Sequence, residues 1–210
     1  MSRQEHWQAV YRDRDLSALS WFRPHLDSSL EEILDAVRAQ NRTEESAQIL
    51  DAGGGASTLV DDLLECGCRG VTVVDLAQSA LDAAQLRLGA RAAQVRWLCA
   101  DLLAFPELPM RLHVWHDRAV FHFLCAAEER LRYLEAVRRT LAPGGHCILA
   151  IFGPQGPERC SGLPTMRYSS EELALAMGDG FILLRSRLEM HRTPAGAEQQ
   201  FVLAHFQYQG

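Results

Sequence analysis

The chain has 210 residues, of which 48% are hydrophobic and 23% charged, and its formal net charge is −6 at pH 7. This length and composition suit one soluble domain with a sizeable core. The negative charge argues against a nucleic-acid partner, and because all 21 basic residues are arginine, Schiff-base chemistry on lysine and the lysine-dependent phosphate loop are excluded.

The N-terminal residues contain no apolar signal region, and no apolar run approaches the length of a membrane span. The six cysteines form no Cys-x-x-Cys pairs and lie mostly in apolar stretches, which is typical of free thiols in a reducing compartment. We therefore expect a cytoplasmic protein that has neither a metal site nor a membrane partner.

In chain order, a polar opening rich in aromatic residues (1–26) leads to a helical pattern from Leu30 to Val37 and a polar connector at 41–46. Short apolar runs then alternate with helical periodicity. Strands are predicted at 48–52, 71–76, 95–100, 113–117 and 147–152, and helices at 57–66, 78–88 and 127–141. This alternation indicates a parallel sheet with helices on both faces.

The last forty residues have a different pattern. A helix at about 169–177 is followed by two strands, at 181–188 and 200–207, with a turn at 193–196 between them. Such a pair predicts an antiparallel hairpin at the edge of the sheet. We expect one α/β domain over residues 1–210, with a doubly wound, mostly parallel sheet of seven strands.

A glycine-rich turn follows the first predicted strand, in the sequence Asp51-Ala52-Gly53-Gly54-Gly55. A strand, a glycine loop and a helix together form the usual nucleotide-binding crevice of an open parallel sheet. Thr58 stands where the dinucleotide fingerprint has its third glycine, which disfavours the pyrophosphate of NAD. An acidic residue leads the turn instead, and a carboxylate attracts an ammonium group.

Two further acids follow successive predicted strands. Asp75 ends the second strand, twenty residues past Gly55, where a carboxylate can accept both hydroxyls of a ribose. Asp101 ends the third strand. The alternative for each is a strand-end aspartate that caps the next helix. The carboxyl ends of parallel strands meet at one edge of a sheet, so three successive acids favour a shared ligand site.

The pattern of Asp51, Gly53 and Gly55 resembles the first motif of class I S-adenosylmethionine (SAM)-dependent methyltransferases, with Ser57 in place of that family's final glycine. The turn Leu141–His146 also resembles the family's segment before strand five. The resemblance runs from about Ile49 to Phe206 and implies a Rossmann-like methyltransferase fold, with SAM as cofactor and S-adenosylhomocysteine as product. It implies these cofactor-binding residues: Asp51, Gly53, Gly54, Gly55, Ser57, Asp75, Leu76, Asp101, Leu102 and Trp21.

The acceptor site is expected after strands four and five, beside the donor methyl group. His122 is predicted as a base or hydrogen-bonding group, and Asp117 and Arg118 as catalytic residues that orient the acceptor. His116 and Phe121 are predicted to border the substrate. The alternative is an Asp117–Arg118 pair that braces the loop, with both histidines in the core.

The loop after strand five is rich in glycine and proline, and a long loop at this place is often functional. Its Cys160 is predicted to contact a thiol or metalloid acceptor, or else to be a packing residue. At the N-terminus, residues 1–40 with Trp7 and Trp21 resemble the lid of related enzymes, which closes over a catalytic core at 47–208.

The Trp-x-x-x-Tyr opening, the stretch at 116–123 and the loop around Cys160 resemble a bacterial group near the thiopurine/thiol and tellurite-resistance methyltransferases. The opening is also similar to small protein lysine methyltransferases, but these carry Asp/Glu-Lys-Gly where this chain has Asp117-Arg118-Ala119. We expect a small acceptor such as a thiol or another soft nucleophile, and a monomer or weak homodimer. A protein methyltransferase, a SAM-binding module without turnover and, more distantly, an NAD(P) oxidoreductase are the alternatives.

Overall fold

The protein is described by a computed structural model that covers residues 2–210. Its centre is a seven-stranded sheet with the order β3-β2-β1-β4-β5-β9-β8. The strand bounds are β1 Gln48–Ala52, β2 Gly70–Asp75, β3 Arg96–Cys99, β4 Leu112–Arg118, β5 Leu141–Phe152, β8 Phe181–Arg192 and β9 Glu198–Tyr208. The expected α/β architecture is thereby confirmed.

Strands β1 to β5 run parallel, and β9 pairs antiparallel with both β5 and β8. The predicted C-terminal hairpin therefore lies at the edge of the sheet, where its strands are longer than the sequence pattern indicates. Strand β5 also begins earlier than predicted, at Leu141. Leu141 pairs with Leu112 of β4, and the register then shifts, so that the next pair is His146 with Val114.

Among residues 2–210, six α-helices flank the sheet, and the sequence pattern predicted four of them to within two residues at either end. The bounds are α1 Arg3–Asp13, α2 Asp27–Ala39, α3 Leu59–Glu65, α4 Gln78–Leu88, α5 Ala127–Thr140 and α6 Ser170–Met177. Capping boxes at Ser2 and Ser169 start α1 and α6, because each serine side chain accepts a backbone N–H of the first turn. Gly89, at φ +57°, ends α4 in a backbone conformation that favours glycine.

The helices enclose an apolar core on each face of the sheet. On one face α2 and α3 pack through Ile33, Val37 and Leu63 against β1 and β2. On the other face, residues of α5 and α6, Val137 and Leu173 among them, surround Trp115 and Phe206. Helix α2, which falls within the predicted lid at 1–40, is thus part of the packing on the sheet.

The loop after β5 contains a small hairpin that the sequence pattern did not predict. It consists of β6 Arg159–Cys160 and β7 Leu163–Pro164. Ser161 and Gly162, which join the two strands, both have positive φ angles, as a tight hairpin turn requires. Within residues 2–210, no helix combines the length and the apolar character needed to span a membrane.

Candidate active site

The glycine-rich turn connects β1 to α3 at the carboxyl edge of the sheet. Gly53 and Gly55 have φ angles of +67° and +40°, which side chains with a Cβ disfavour. A Cβ on Gly53 would lie 2.1 Å from Cγ2 of Val120, and one on Gly55 would lie 2.6 Å from Oδ2 of Asp75. The turn is therefore closely surrounded by the loops that follow the neighbouring strands.

Asp51 is the second-last residue of β1, just before this turn, and is 2% exposed. Its Oδ1 lies 2.7 Å from Nδ1 of His116, the residue beside it on β4. Its Oδ2 is also buried and has no hydrogen-bond partner among residues 2–210. A buried carboxylate oxygen without a donor is costly, so this atom is suited to a cationic ligand.

Asp75 is the second buried acid at this edge. Its Oδ1 accepts the backbone N–H of Ala77 at 2.8 Å, and no arginine or histidine pairs with it in the described part of the chain. Burial, together with the nearby charge of Asp51, raises the pKa of Asp75 to about 7. Asp75 thus presents a poorly solvated oxygen that suits hydroxyl donors.

Two adjoining clefts lie above these acids, with volumes of about 830 Å³ and about 530 Å³. The larger cleft is lined by predicted cofactor residues from the ends of β2 and β3, namely Asp75, Leu76, Asp101 and Leu102. The smaller is lined by the glycine turn, Asp51 and Ser57. Asp101 is exposed, and its Oδ1 accepts the N–H of Leu103, so it also caps the short 3-10 turn at 102–104.

Four aromatic side chains line the larger cleft. Trp7 and Tyr11 of α1 lie near Trp21 and Phe123, and the centroid of the Trp7 ring is 5.8 Å from that of Trp21 and 5.2 Å from that of Phe123. Burial raises the pKa of the Tyr11 phenol, so it stays protonated. The N-terminal segment therefore contributes apolar rings and one hydroxyl to the wall of this cleft.

Arg118 follows Asp117 at the end of β4 and lines both clefts. It donates to the carbonyl oxygen of Trp21 at 2.9 Å and lies 5.0 Å from the centre of the Phe201 ring. No carboxylate of residues 2–210 lies within ion-pairing distance of its guanidinium. Burial lowers the pKa of Arg118 to about 10, so the group is a charged donor at neutral pH.

Asp117 is fully buried and its oxygens are occupied. They accept the N–H groups of Val120 at 2.9 Å and Phe121 at 3.1 Å, and the hydroxyl of Tyr133. These bonds hold the turn in which Ala119 has a φ of +72°, an unusual angle for a residue with a Cβ. Asp117 thus braces the loop, as one sequence interpretation has it, but it forms no pair with Arg118.

His122 and Phe121 lie in the core and line neither cleft. The His122 ring stacks on Phe152, and its Nδ1 accepts the N–H of Phe152 at 3.2 Å. Burial, together with the nearby charge of Arg118, lowers the pKa of His122 to about 3. The structure therefore does not support His122 as a base, and Phe121 packs against Tyr133 rather than bordering a ligand.

His116 was predicted to border the acceptor, but its two ring nitrogens contact Asp51 and the hydroxyl of Ser29. It lies under the smaller cleft, not beside Cys160. Cys160 does line the larger cleft, on the small hairpin β6–β7. Burial raises the pKa of the Cys160 thiol, so this side chain is a neutral wall group at pH 7.

Sequence reasoning missed several residues that line the larger cleft. Val120, Leu124 and Tyr133 are among them. Valine, leucine and tyrosine are common in protein cores, so the sequence does not indicate that these residues line a cleft. Only the tertiary structure places them there. Among residues 2–210, no group of three histidine, cysteine or acidic side chains could hold a metal ion.

Residues 49–145, slightly less than half of the chain, match the sequence model of a methyltransferase domain. No curated protein gives a significant match.

Solved structures resemble nearly the whole chain. One, described in connection with the conversion of a disulfide bond into a thioacetal group during echinomycin biosynthesis, has a TM-score of 0.77 at 18% identity and covers 99% of this chain and 92% of that chain. The N-methyltransferase NodS from Bradyrhizobium japonicum WM9, in complex with S-adenosyl-L-homocysteine, has a TM-score of 0.70 at 15% identity, over 98% and 99%.

A third is the Burkholderia thailandensis 1,6-didemethyltoxoflavin-N1-methyltransferase, with its bound substrate and S-adenosylhomocysteine. It has a TM-score of 0.71 at 20% identity and covers 99% of this chain and 87% of that chain. At such identities the likeness concerns the fold. With a methyltransferase domain at residues 49–145 and this fold around it, the chain is a SAM-dependent methyltransferase whose cofactor is S-adenosylmethionine.

Proposed function

We propose that this enzyme methylates a small acceptor with a soft nucleophile, such as a thiol, inside the larger cleft. The observation that carries the proposal is that the wall of this cleft, within residues 2–210, contains no imidazole. A thiol has a pKa of about 8.5 and is partly ionised near neutral pH, so it can be methylated without a strong base. An alcohol would need such a base.

The residues present fit the cofactor. The unpartnered Oδ2 of Asp51 suits the methionyl ammonium, and the glycine turn leaves room for close approach of a ligand. Asp75 would accept the ribose hydroxyls, and Asp101 would accept the adenine amino group. The remaining cofactor contacts are assigned to Ser57, Trp21, Leu76 and Leu102, which line the two clefts.

The bound cofactor supplies an electrophilic methyl group on a sulfonium. The chain's own contribution is to align the acceptor and to exclude water. The rings of Trp7, Trp21 and Phe123 provide the apolar cover. Arg118, whose remaining N–H groups have no protein partner, would bind an anionic group in the cleft.

The cover over the cleft also bears on the protein-substrate alternative. A lysine side chain of a protein substrate needs an open, acidic groove, whereas here α1 and the 16–26 segment lie over the cleft. A small molecule therefore fits this site better. We further propose that residues 1–210 act as one domain, in which the N-terminal segment is the lid on the α/β core.

The test is a methyl-transfer screen with radiolabelled SAM against small thiols, hydrogen sulfide, oxyanions of selenium and tellurium, amines and a protein lysate. We expect label in a thiol or another soft acceptor, and a higher acceptor KM in Arg118→Gln. Arg132→Gln, at an exposed arginine of α5, is the matched control. Label that enters only proteins would contradict the proposal.

A further inference from the structure

A chain of three buried polar side chains connects α2, β4 and β1 beneath the smaller cleft. Oγ of Ser29 lies 2.9 Å from Nε2 of His116, and Nδ1 of His116 lies 2.7 Å from Oδ1 of Asp51. The exposed fractions of Ser29, His116 and Asp51 are 3%, 1% and 2%. The role proposed above for the cleft uses Asp51 but neither of the other two residues.

The chemistry of the three groups sets the direction of the hydrogen bonds. An ionised carboxylate only accepts, so the proton on the Asp51 side belongs to Nδ1 of His116. In a neutral ring Nε2 then accepts, and the Ser29 hydroxyl is its donor. Both ring nitrogens are thereby used, which fixes the orientation of the imidazole.

The same contacts determine where the second oxygen of Asp51 lies. Oδ2 is buried and has no partner within residues 2–210. It lies under the glycine turn, where a Cβ on Gly54 would come within 2.4 Å of it. No arginine of the described chain forms an ion pair with this carboxylate. Asp51 is therefore held through Oδ1 by His116, while its Oδ2 has no hydrogen-bond partner in the described part of the chain.

We propose that His116, supported by Ser29, is a positioning residue that holds Asp51 so that Oδ2 accepts a hydrogen bond from a primary ammonium group. The ligand group is the ammonium of the methionyl part of the cofactor. This inference rests on the proposed placement of that group at Asp51. On this proposal, His116 contributes to binding of the methionyl end of the cofactor and not to binding of its adenosine end.

The test is calorimetric binding of two ligands that share the adenosine and the sulfur. S-adenosylhomocysteine has the ammonium, and 5′-methylthioadenosine lacks the amino-acid part. His116→Leu should weaken S-adenosylhomocysteine binding ~10–100-fold, because a hydrogen bond to a charged group is lost. Binding of 5′-methylthioadenosine should stay unchanged, which a merely structural role would not predict.

His116→Asn is the conservative variant, since its amide N–H can replace the Nδ1–H donor. We expect it to bind S-adenosylhomocysteine within ~3-fold of the wild type, because the donor to Asp51 is kept and only the neutral hydrogen bond with Ser29 is lost. Ser29→Ala should weaken binding in the wild-type background but have no effect in the His116→Asn background, since the two residues then no longer interact.

The outcomes separate the inference from its premise. If the wild type binds both ligands equally well, the placement of the methionyl group at Asp51 is wrong. If the wild type prefers S-adenosylhomocysteine and His116→Leu keeps that preference, the role of His116 is wrong. Equal losses of affinity for both ligands in His116→Leu also overturn the role of His116. If His116→Leu does not fold, the comparison of Ser29→Ala in the wild-type and His116→Asn backgrounds tests that role instead.

Discussion

Three buried aspartates lie at the last or second-last position of their strands, at the carboxyl edge of the sheet, and they differ in which of their oxygens are occupied. Asp117 has both oxygens bonded to Val120, Phe121 and Tyr133. Asp51 keeps one oxygen without a partner, and Asp75 accepts only the N–H of Ala77. At the scale of the residue, this distinguishes an acid that braces a loop from acids that remain available to a ligand.

The raised pKa of Asp75 leads to a prediction about pH. Burial raises this pKa to about 7, so the carboxyl group becomes protonated as the pH falls below 7. A protonated carboxyl group is a poorer acceptor for ribose hydroxyls, and we expect the SAM affinity of the wild type to fall between pH 8 and pH 6. Asp75→Asn should bind SAM ~10–100-fold more weakly at pH 8, because a charge-assisted hydrogen bond is lost. Calorimetry across this pH range is the measurement.

The same substitution has the opposite effect on stability. A folded-state pKa above the unfolded value of 3.8 means that the favourable contribution of the neutral carboxyl is lost as the pH rises through about 7. In the absence of SAM, Asp75→Asn should therefore raise the Tm relative to the wild type more at pH 8 than at pH 5. A Tm difference that does not depend on pH would contradict the assignment of this pKa.

At the scale of the element, α2 connects the carboxyl edge of the sheet, where the cofactor residues lie, with the C-terminal hairpin β8–β9. Ser29 of α2 contacts His116, and Glu32, one turn further, is buried against the sheet. Glu32 accepts from Arg185 on β8 at 2.6 Å and from His205 on β9 at 2.7 Å. One helix thus supports both Asp51 and the antiparallel strands.

Removing the charge of Glu32 should destabilise the fold. Burial raises the pKa of Glu32, but the hydrogen bonds from Arg185 and His205 outweigh this, so the pKa lies below its usual value. The stabilisation is therefore present above pH 4.5 and is lost as the pH falls through the folded-state pKa. We expect Glu32→Gln to lose about 2–3 kcal/mol of unfolding free energy at neutral pH. This is less than a fully buried pair would lose, because Arg185 is partly exposed.

Urea denaturation at pH 7 and pH 4 measures this effect. The matched control is Glu31→Gln, because Glu31 is the neighbouring exposed residue of α2 and lies 3.6 Å from Arg187. We expect its unfolding free energy to stay within ~0.5 kcal/mol of the wild type. Equal effects of the two substitutions would show that the buried network contributes nothing specific.

At the scale of the whole molecule, the cofactor site joins parts of the chain that have few other contacts. Helix α1 has one buried residue, Val10. It is held by Arg3 to Glu129 at 2.5 Å, by Ser79 to Gln8 at 3.2 Å, and by the rings over the cleft. Ligand binding in the cleft should therefore order α1 as well as stabilise the core.

We expect SAM to raise the unfolding free energy by ~2.7 kcal/mol at a hundred times its Kd. Thermal denaturation with SAM and with NAD measures this, and NAD should cause no shift. Hydrogen exchange should show the largest gain of protection in α1. A SAM-induced rise in Tm without any added protection of α1 would leave the cofactor assignment intact but contradict its role as a lid.

Much of this architecture follows from local sequence patterns. The strand at 48–52 and the helix at 78–88 were predicted at their observed bounds, because apolar period and flanking turn residues are encoded within each segment. The hairpin β6–β7 was not predicted, since two-residue strands carry no periodicity. His122 was misjudged for a related reason: the sequence shows a histidine near a strand end, but not whether its ring faces the cleft or the core.

The sequence by itself determined the order of strands and helices, the glycine turn and the acids at the strand ends, because each depends on neighbours in the chain. The tertiary structure decided which side chains share the site. Asp51 and His116 are 65 positions apart, and His116 and Ser29 are 87 apart. A hydrogen bond between such residues exists only after the strands have aligned in register and α2 has packed on them, since donor and acceptor must come within about 3 Å.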